Sequence, residues 1–394
     1  MQLPLHRELP PLYACGKRLP LAQRRNYISQ VPRRVCYIHI GPHKTGTTSI
    51  QAFLKENRST LLKQGYFVPE TRNVHGGHHL LARQLCGLAV PQHHQETAAR
   101  FATAIRDITC EAVVISSESL DSLLLERNCA RNFFSRMEEH NLEPKIVFFP
   151  RNQSQLLNSR YTQVVKGFER SESFETFVQA DIRHRSYRYS DFIALADAFR
   201  LKLIAAAFTE DTLVRGVVIE FLKAIGIAPS QFQDTKVRRN PGAGPFTVGV
   251  ARCLLRSLGA EPRGLTWLQA SECRRMLAAY LKEKELADSG YSGLTTALAR
   301  HIEAEWQTEN DAFALAVWDT SWAEMFASDV GRNFEPNDFD LRPPPRSMRR
   351  QLECAIREMQ ATIQQILRDP ALSIRASWND LRRRASGFTE ESLH

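Results

Sequence analysis

Short apolar runs that stop at glycine, proline or polar residues alternate, over the first half of the chain, with longer stretches whose apolar positions recur every three or four residues. The runs are Val35 to Ile40, rich in β-branched and aromatic residues, Glu111 to Glu118, Pro144 to Arg151 and Leu201 to Phe208. Runs this short and this apolar read as strands of a parallel sheet buried on both faces. Gly65 to Glu70 is a further short extended piece, stopped by Pro69. The periodic stretches between them read as helices. Ile50, Phe53, Leu54, Leu61 and Leu62 follow Thr45 at helical spacing; residues 95–109, Cys129 to Asn141, Phe174 to Ala180, Tyr189 to Phe199 and Leu213 to Ile225 follow in turn. Strands and helices in alternation predict right-handed crossovers, a parallel sheet of four or five strands and helices on both faces, a three-layer α/β fold.

From residue 246 onward the pattern is helical: Phe246 to Leu258, Trp267 to Leu286 and Leu294 to Trp318, then a connector from Ser321 to Pro345 and an amphipathic helix from Met348 to Leu367. The division expected is an N-terminal arm over residues 1–33, an α/β core over 34–245, a helical continuation over 246–345 and basic amphipathic C-terminal helices over 346–394.

The junction at Ile40 changes this from a fold pattern into a functional one. Gly41-Pro42-His43-Lys44-Thr45-Gly46-Thr47-Thr48-Ser49 joins the first strand to the first helix. A helix start carries unpaired N–H groups and the positive end of the helix dipole, so an anion is its natural occupant, and Lys44 adds a full charge beside it. The ATP-binding loop has glycine, four residues, glycine, then lysine and a magnesium-binding hydroxyl. Gly41 and Gly46 keep that glycine spacing, but Thr47 stands at the lysine position and Lys44 lies two residues before Gly46.

Lysine followed by Thr45-Gly46-Thr47-Thr48 resembles the 5′-phosphosulfate loop of sulfotransferases that use 3′-phosphoadenosine 5′-phosphosulfate (PAPS). Arg151 at a strand end, followed eight positions later by Ser159, is similar to the pattern with which that family holds the 3′-phosphate, and Tyr161, Gln163 and Lys166 continue it as in bacterial carbohydrate-type members. An arginine presents a planar fork of donors to a phosphate dianion, and a serine two turns into a helix beginning near Asn152 can face the same anion. The resemblance covers residues 34–245 and implies the α/β fold with a P-loop-like phosphate site, PAPS as co-substrate, and transfer of a sulfuryl group to a saccharide or glycoconjugate hydroxyl. It assigns the phosphates to Lys44, Thr45, Gly46, Thr47, Thr48, Ser49, Arg151 and Ser159, and more loosely to Arg238 and Arg239 in a late basic loop. Lys44 is the expected catalytic cation. A general base is also needed, and His78, then Glu70 and Glu118, are its candidates.

Composition narrows the alternatives only slightly. The formal charge of +9 and pI near 9.2 fit a polyanionic ligand. The eight cysteines are scattered without a CxxC pair, which speaks for reduced thiols in a cytoplasmic protein and against zinc. His75, His78, His79, His93 and His94 form no recognisable ligand set, so no metal is expected. No run reaches the length of a membrane span, and the basic segment Arg375 to Arg384 reads as a solvated face, not a nucleic-acid site. The competing readings are an ATP-dependent P-loop kinase and a protein of the same fold that binds a nucleotide or acidic glycan without turnover.

Overall fold

The computed structural model describes residues 33–71, 73, 75–185, 187–232, 242–257, 265–286, 288–329 and 332–369. Five strands form one parallel sheet: β1 (Arg34–His39), β2 (Tyr66–Phe67), β3 (Ala112–Ser116), β4 (Leu142–Phe148) and β5 (Lys202–Ala205), in the order β2-β3-β1-β4-β5. Val35 pairs with Ala112 and His39 with Ser116 across β1 and β3, while Ile38 pairs with Ile146 and His39 with Val147 across β1 and β4. The strand ends therefore stay level, and the loops that leave them emerge on one rim. The piece at Gly65 to Glu70 contributes β2, a two-residue edge strand beside β3.

Side chains alternate across the sheet as the two-residue strand period demands. Ile38, Ile115, Ile146 and Phe148 enter a core on one face. Val114, Val147 and Phe149 enter the core on the other, with Ile50, Phe53 and Leu54 of helix α1 (Thr47–Glu56). Opposite faces of the sheet are thus covered by helices, giving three layers. A third apolar cluster takes Leu157, Tyr161 and Val165 of helix α2 (Gln153–Lys166) into one core with the helices that follow residue 245, α3 (Pro245–Ser257), α4 (Trp267–Glu283), α5 (Thr296–Trp318) and α6 (Arg346–Arg368). Phe313 and Ala314 of α5 also enter the first sheet core, so the C-terminal half is packed directly onto the α/β layers.

Two features depart from the sequence pattern. Apolar periodicity runs unbroken from Leu213 to Ile225, but Gly216 at φ 100° divides it into helices Glu210–Arg215 and Val217–Ala224. Only glycine occupies that backbone region cheaply. The connector expected from Ser321 to Pro345 contains a short helix, Trp322–Met325, whose Ser321 and Glu324 form a reciprocal cap. Among the described residues no helix is long and apolar enough to cross a membrane. The N-terminal arm up to residue 32, Arg238, Arg239 and the basic segment from Arg375 to Arg384 lie outside the described residues.

Candidate functional site

The chain leaves β1 for β2 on one side of the sheet and leaves β4 for β5 on the other, although β1 and β4 are neighbours. That reversal opens a crevice at the carboxyl ends of the two strands, where ligands bind in open α/β sheets. The loop after β1 carries Lys44, and the loop after β4 carries Arg151.

The first loop is tightly built. The N–H of Ile40 donates to the Val147 carbonyl at 3.1 Å, and that of Phe149 to the Gly41 carbonyl at 3.1 Å, so both loops share one backbone frame. The Thr45 hydroxyl donates to the Pro42 carbonyl at 2.7 Å. Lys44 and Gly46 both take positive φ, 67° and 78°, which turns the chain abruptly into α1. Among the described residues no acceptor meets the N–H groups of Gly46, Thr47 and Thr48, while those of Ser49 and Ile50 bond back to the Gly46 carbonyl at 3.0 and 3.2 Å. Three free donors at a helix start beside a lysine make an anion cradle.

Arg151 bridges the two loops. Its guanidinium donates to the Lys44 carbonyl at 2.9 Å and to Gln155 Oε1 at 3.5 Å, lies 5.3 Å over the Phe208 ring, and keeps Nε without a partner among the described residues. The Tyr189 hydroxyl fixes the Arg151 backbone from both sides, accepting from its N–H at 3.1 Å and donating to its carbonyl at 2.5 Å. Burial brings the Arg151 pKa down to about 10 against the opposing pull of Asp329 and Tyr189. Helix α2 begins as the motif requires: the Asn152 side chain caps it by accepting from the Ser154 N–H at 3.1 Å. Ser159 then lies two turns in.

Lys44, Arg151 and Ser159 line one cleft of about 870 Å³. Burial is the main influence lowering the Lys44 amine's pKa; Glu118 opposes it, and the charges of Lys166, Arg160 and Arg151 lower it further. Such crowding of cations is the field into which a polyanion fits.

The candidate bases separate. His78 is buried and committed: its Nδ1 accepts from the Ser116 N–H at 3.0 Å, and the N–H this leaves on Nε2 donates to the Pro69 carbonyl at 3.0 Å. Burial outweighs its backbone contacts and holds the imidazole near a pKa of about 4. Glu70 is exposed and paired with Arg58 at 3.4 Å; with His78 it borders a separate cavity of about 500 Å³ against the helix Thr97–Asp107. Neither residue lines the cleft of Lys44. Glu118 instead reaches the loop, where Oε2 accepts from the Thr47 hydroxyl at 2.6 Å and Oε1 lies 3.6 Å from His43 Nδ1. Burial raises the Glu118 carboxyl, but His43, the Thr47 hydroxyl and His79 together hold it below the usual carboxylate range.

His43 escaped the sequence reading although it adjoins Lys44; only the folded position of Glu118 marks it. Tyr161, expected beside Ser159, faces the opposite way and is buried, its hydroxyl donating to the Glu172 carbonyl at 2.7 Å and accepting from Arg252 at 3.1 Å. The cleft wall opposite α2 also escaped the sequence: Arg274 of α4, Tyr291, Ser292 and Arg332 come from distant segments. Compared with protein-family models, with curated proteins and with solved structures, the chain matches none.

Proposed function

We propose that this protein transfers a sulfuryl group from PAPS to an acceptor hydroxyl, with a saccharide or glycoconjugate as the acceptor. The observation that carries the reading is the convergence of Lys44, Arg151 and Ser159 on one cleft, from two loops 107 residues apart in sequence. In this reading Lys44 and the N–H groups of Gly46, Thr47 and Thr48 meet the charge that builds on the 5′-phosphate as the bridging oxygen–sulfur bond breaks. Arg151 and Ser159 hold the 3′-phosphate. The acceptor oxygen bonds to sulfur and gives its proton to a base. His43, partly exposed, adjoining Lys44 on the loop and 3.6 Å from Glu118, replaces His78 and Glu70 in that role; it does not line the cleft itself, but it belongs to the same loop, whereas those two border a separate cavity.

One observation favours a second reading. A carboxylate at the end of β3 bonded to a loop hydroxyl, as Glu118 is to Thr47, resembles the way P-loop ATPases arrange groups around magnesium. Incorporation of radiolabelled sulfate from PAPS into a saccharide panel separates the readings. The wild type is expected to label an acceptor and a folded Lys44→Ala variant to lose that labelling; equal transfer by the variant contradicts the role given to Lys44.

A further inference from the structure

Six residues of α2, Gln155, Asn158, Ser159, Thr162, Gln163 and Lys166, line the cleft. Their spacing puts them on one helical face. That face has two ends. Arg151, Gln155 and Ser159 form the end assigned to the nucleotide. Lys166 follows Ser159 by seven residues, so at the helical rise it stands about 10 Å farther along. The cleft lines this whole face from Gln155 to Lys166, and its volume of about 870 Å³ lies high in the range of roughly 300–1,000 Å³ common for small-ligand sites.

The chemistry changes along this length. Beyond Lys44 and Arg151 the lining adds Lys166, Arg274 and Arg332, against Glu169 as the carboxylate. Arg332 is already engaged by Glu210 at 2.5 Å and lies over the Phe334 ring. Lys166 and Arg274 form no ion pair among the described residues; Glu272, close to Arg274 in sequence, is taken by Arg275. With these two cations the wall offers Gln163 and Ser292, an amide and a hydroxyl. The facing segment is fixed in place: Asn158 donates to the Tyr291 carbonyl at 3.0 Å and accepts from the Gly293 N–H at 2.9 Å. Two cations without an ion pair among the described residues, on one wall with neutral hydrogen-bonding groups, match a chain of hydroxyls that carries acidic substituents, and they match a flat apolar phenol poorly.

We infer that the outer half of the cleft is an acceptor subsite for an acidic oligosaccharide, with Lys166 and Arg274 meeting its carboxylates or sulfates and Gln163 and Ser292 its hydroxyls. The inference rests on the nucleotide occupying the Arg151 end. Calorimetry on protein saturated with 3′-phosphoadenosine 5′-phosphate (PAP) tests it with four probes: tetragalacturonate, a sulfated maltotetraose, neutral maltotetraose and a tetra-aspartate peptide. At least one acidic saccharide should bind, more tightly than the neutral sugar and the peptide, and more weakly as salt rises. Lys166→Ala combined with Arg274→Ala should weaken that binding by about tenfold or more, and Arg274→Ala alone, away from the field that Lys166 shares with Lys44, should weaken it in part and leave PAP affinity unchanged. The inference is overturned if neither acidic saccharide binds, if the neutral sugar or the peptide binds as well, or if the double variant binds as the wild type does. Failure of PAP itself to bind would sink the nucleotide reading instead. The saccharides are then titrated on the unliganded protein, where binding lost in the double variant upholds the subsite and no binding overturns it.

Discussion

Replacing Asp338 by alanine tests whether the cleft wall is held from behind by a buried ion pair. Arg252 and Asp338 are each 2% exposed and joined by two hydrogen bonds, of 2.7 and 3.0 Å; Asp338 also accepts from the Tyr291 hydroxyl at 2.5 Å and from the Asp340 N–H at 2.8 Å. Removing one member of such a pair leaves a buried charge uncompensated, at about 3–5 kcal/mol. Asp340, 2.9 Å from the same guanidinium and 38% exposed, stays behind and takes up part of the charge. The expected loss for Asp338→Ala is therefore near the lower end, about 3 kcal/mol. It should appear in urea denaturation as a lower midpoint at unchanged slope. Exchanging the whole pair, Arg252→Met with Asp338→Leu, should recover part of the loss, since no unpaired guanidinium then remains, although the Tyr291 hydroxyl and Asp340 still lose their partners. A loss below about 1 kcal/mol in Asp338→Ala, or a double variant no better than the single one, would refute the reasoning.

Other outcomes follow from the same geometry. Gly46→Ala places a methyl 2.7 Å from Val217 Cγ1 at φ 78°, so it should destabilise by about 1–2 kcal/mol or more and abolish nucleotide binding; Val217→Ala in the same chain should restore part of the stability, and a thermal melt like that of the wild type contradicts this. His39 and His78, both buried and both held near a pKa of about 4, stay neutral in the fold while the unfolded chain protonates near pH 6.5. Stability should thus be complete above about pH 6.5 and fall towards pH 4, at about 1.4 kcal/mol per pH unit for each histidine. His78→Gln should flatten that slope in urea titrations at pH 7 and pH 5, and an unaltered slope contradicts the assignment. Arg151→Lys keeps the charge but loses the fork, and should reduce the preference for PAP over AMP; an unchanged preference removes Arg151 from the 3′-phosphate site.

The strand-loop-helix around Lys44 was legible because its signals are local: an apolar run, two glycines and a row of hydroxyls within fifteen residues. The strand end before Arg151 and the capped helix that carries Ser159 were legible for the same reason, each being marked within a few residues. What stayed hidden depends on contacts between distant segments. His78, after two glycines, looks free in sequence, but the backbone of Ser116 and Pro69 occupies both ring nitrogens. His43 gains its meaning from Glu118, which lies 71 residues beyond Thr47. Arg274 and Tyr291 join the cleft wall only because the C-terminal helices pack on α2 through Leu157, Tyr161 and Val165. The break at Gly216 was hidden for the opposite reason: the apolar period continues across it while the backbone does not.

The most direct test of the central claim is calorimetric titration of the protein with PAP, set against AMP and magnesium-ATP on the same sample. The cleft of Lys44, Arg151 and Ser159 predicts tight PAP binding that depends on the 3′-phosphate and needs no magnesium, lost in Lys44→Ala. Tighter binding of magnesium-ATP than of PAP, or equal affinity for PAP and AMP, would contradict the assignment of this cleft to PAPS.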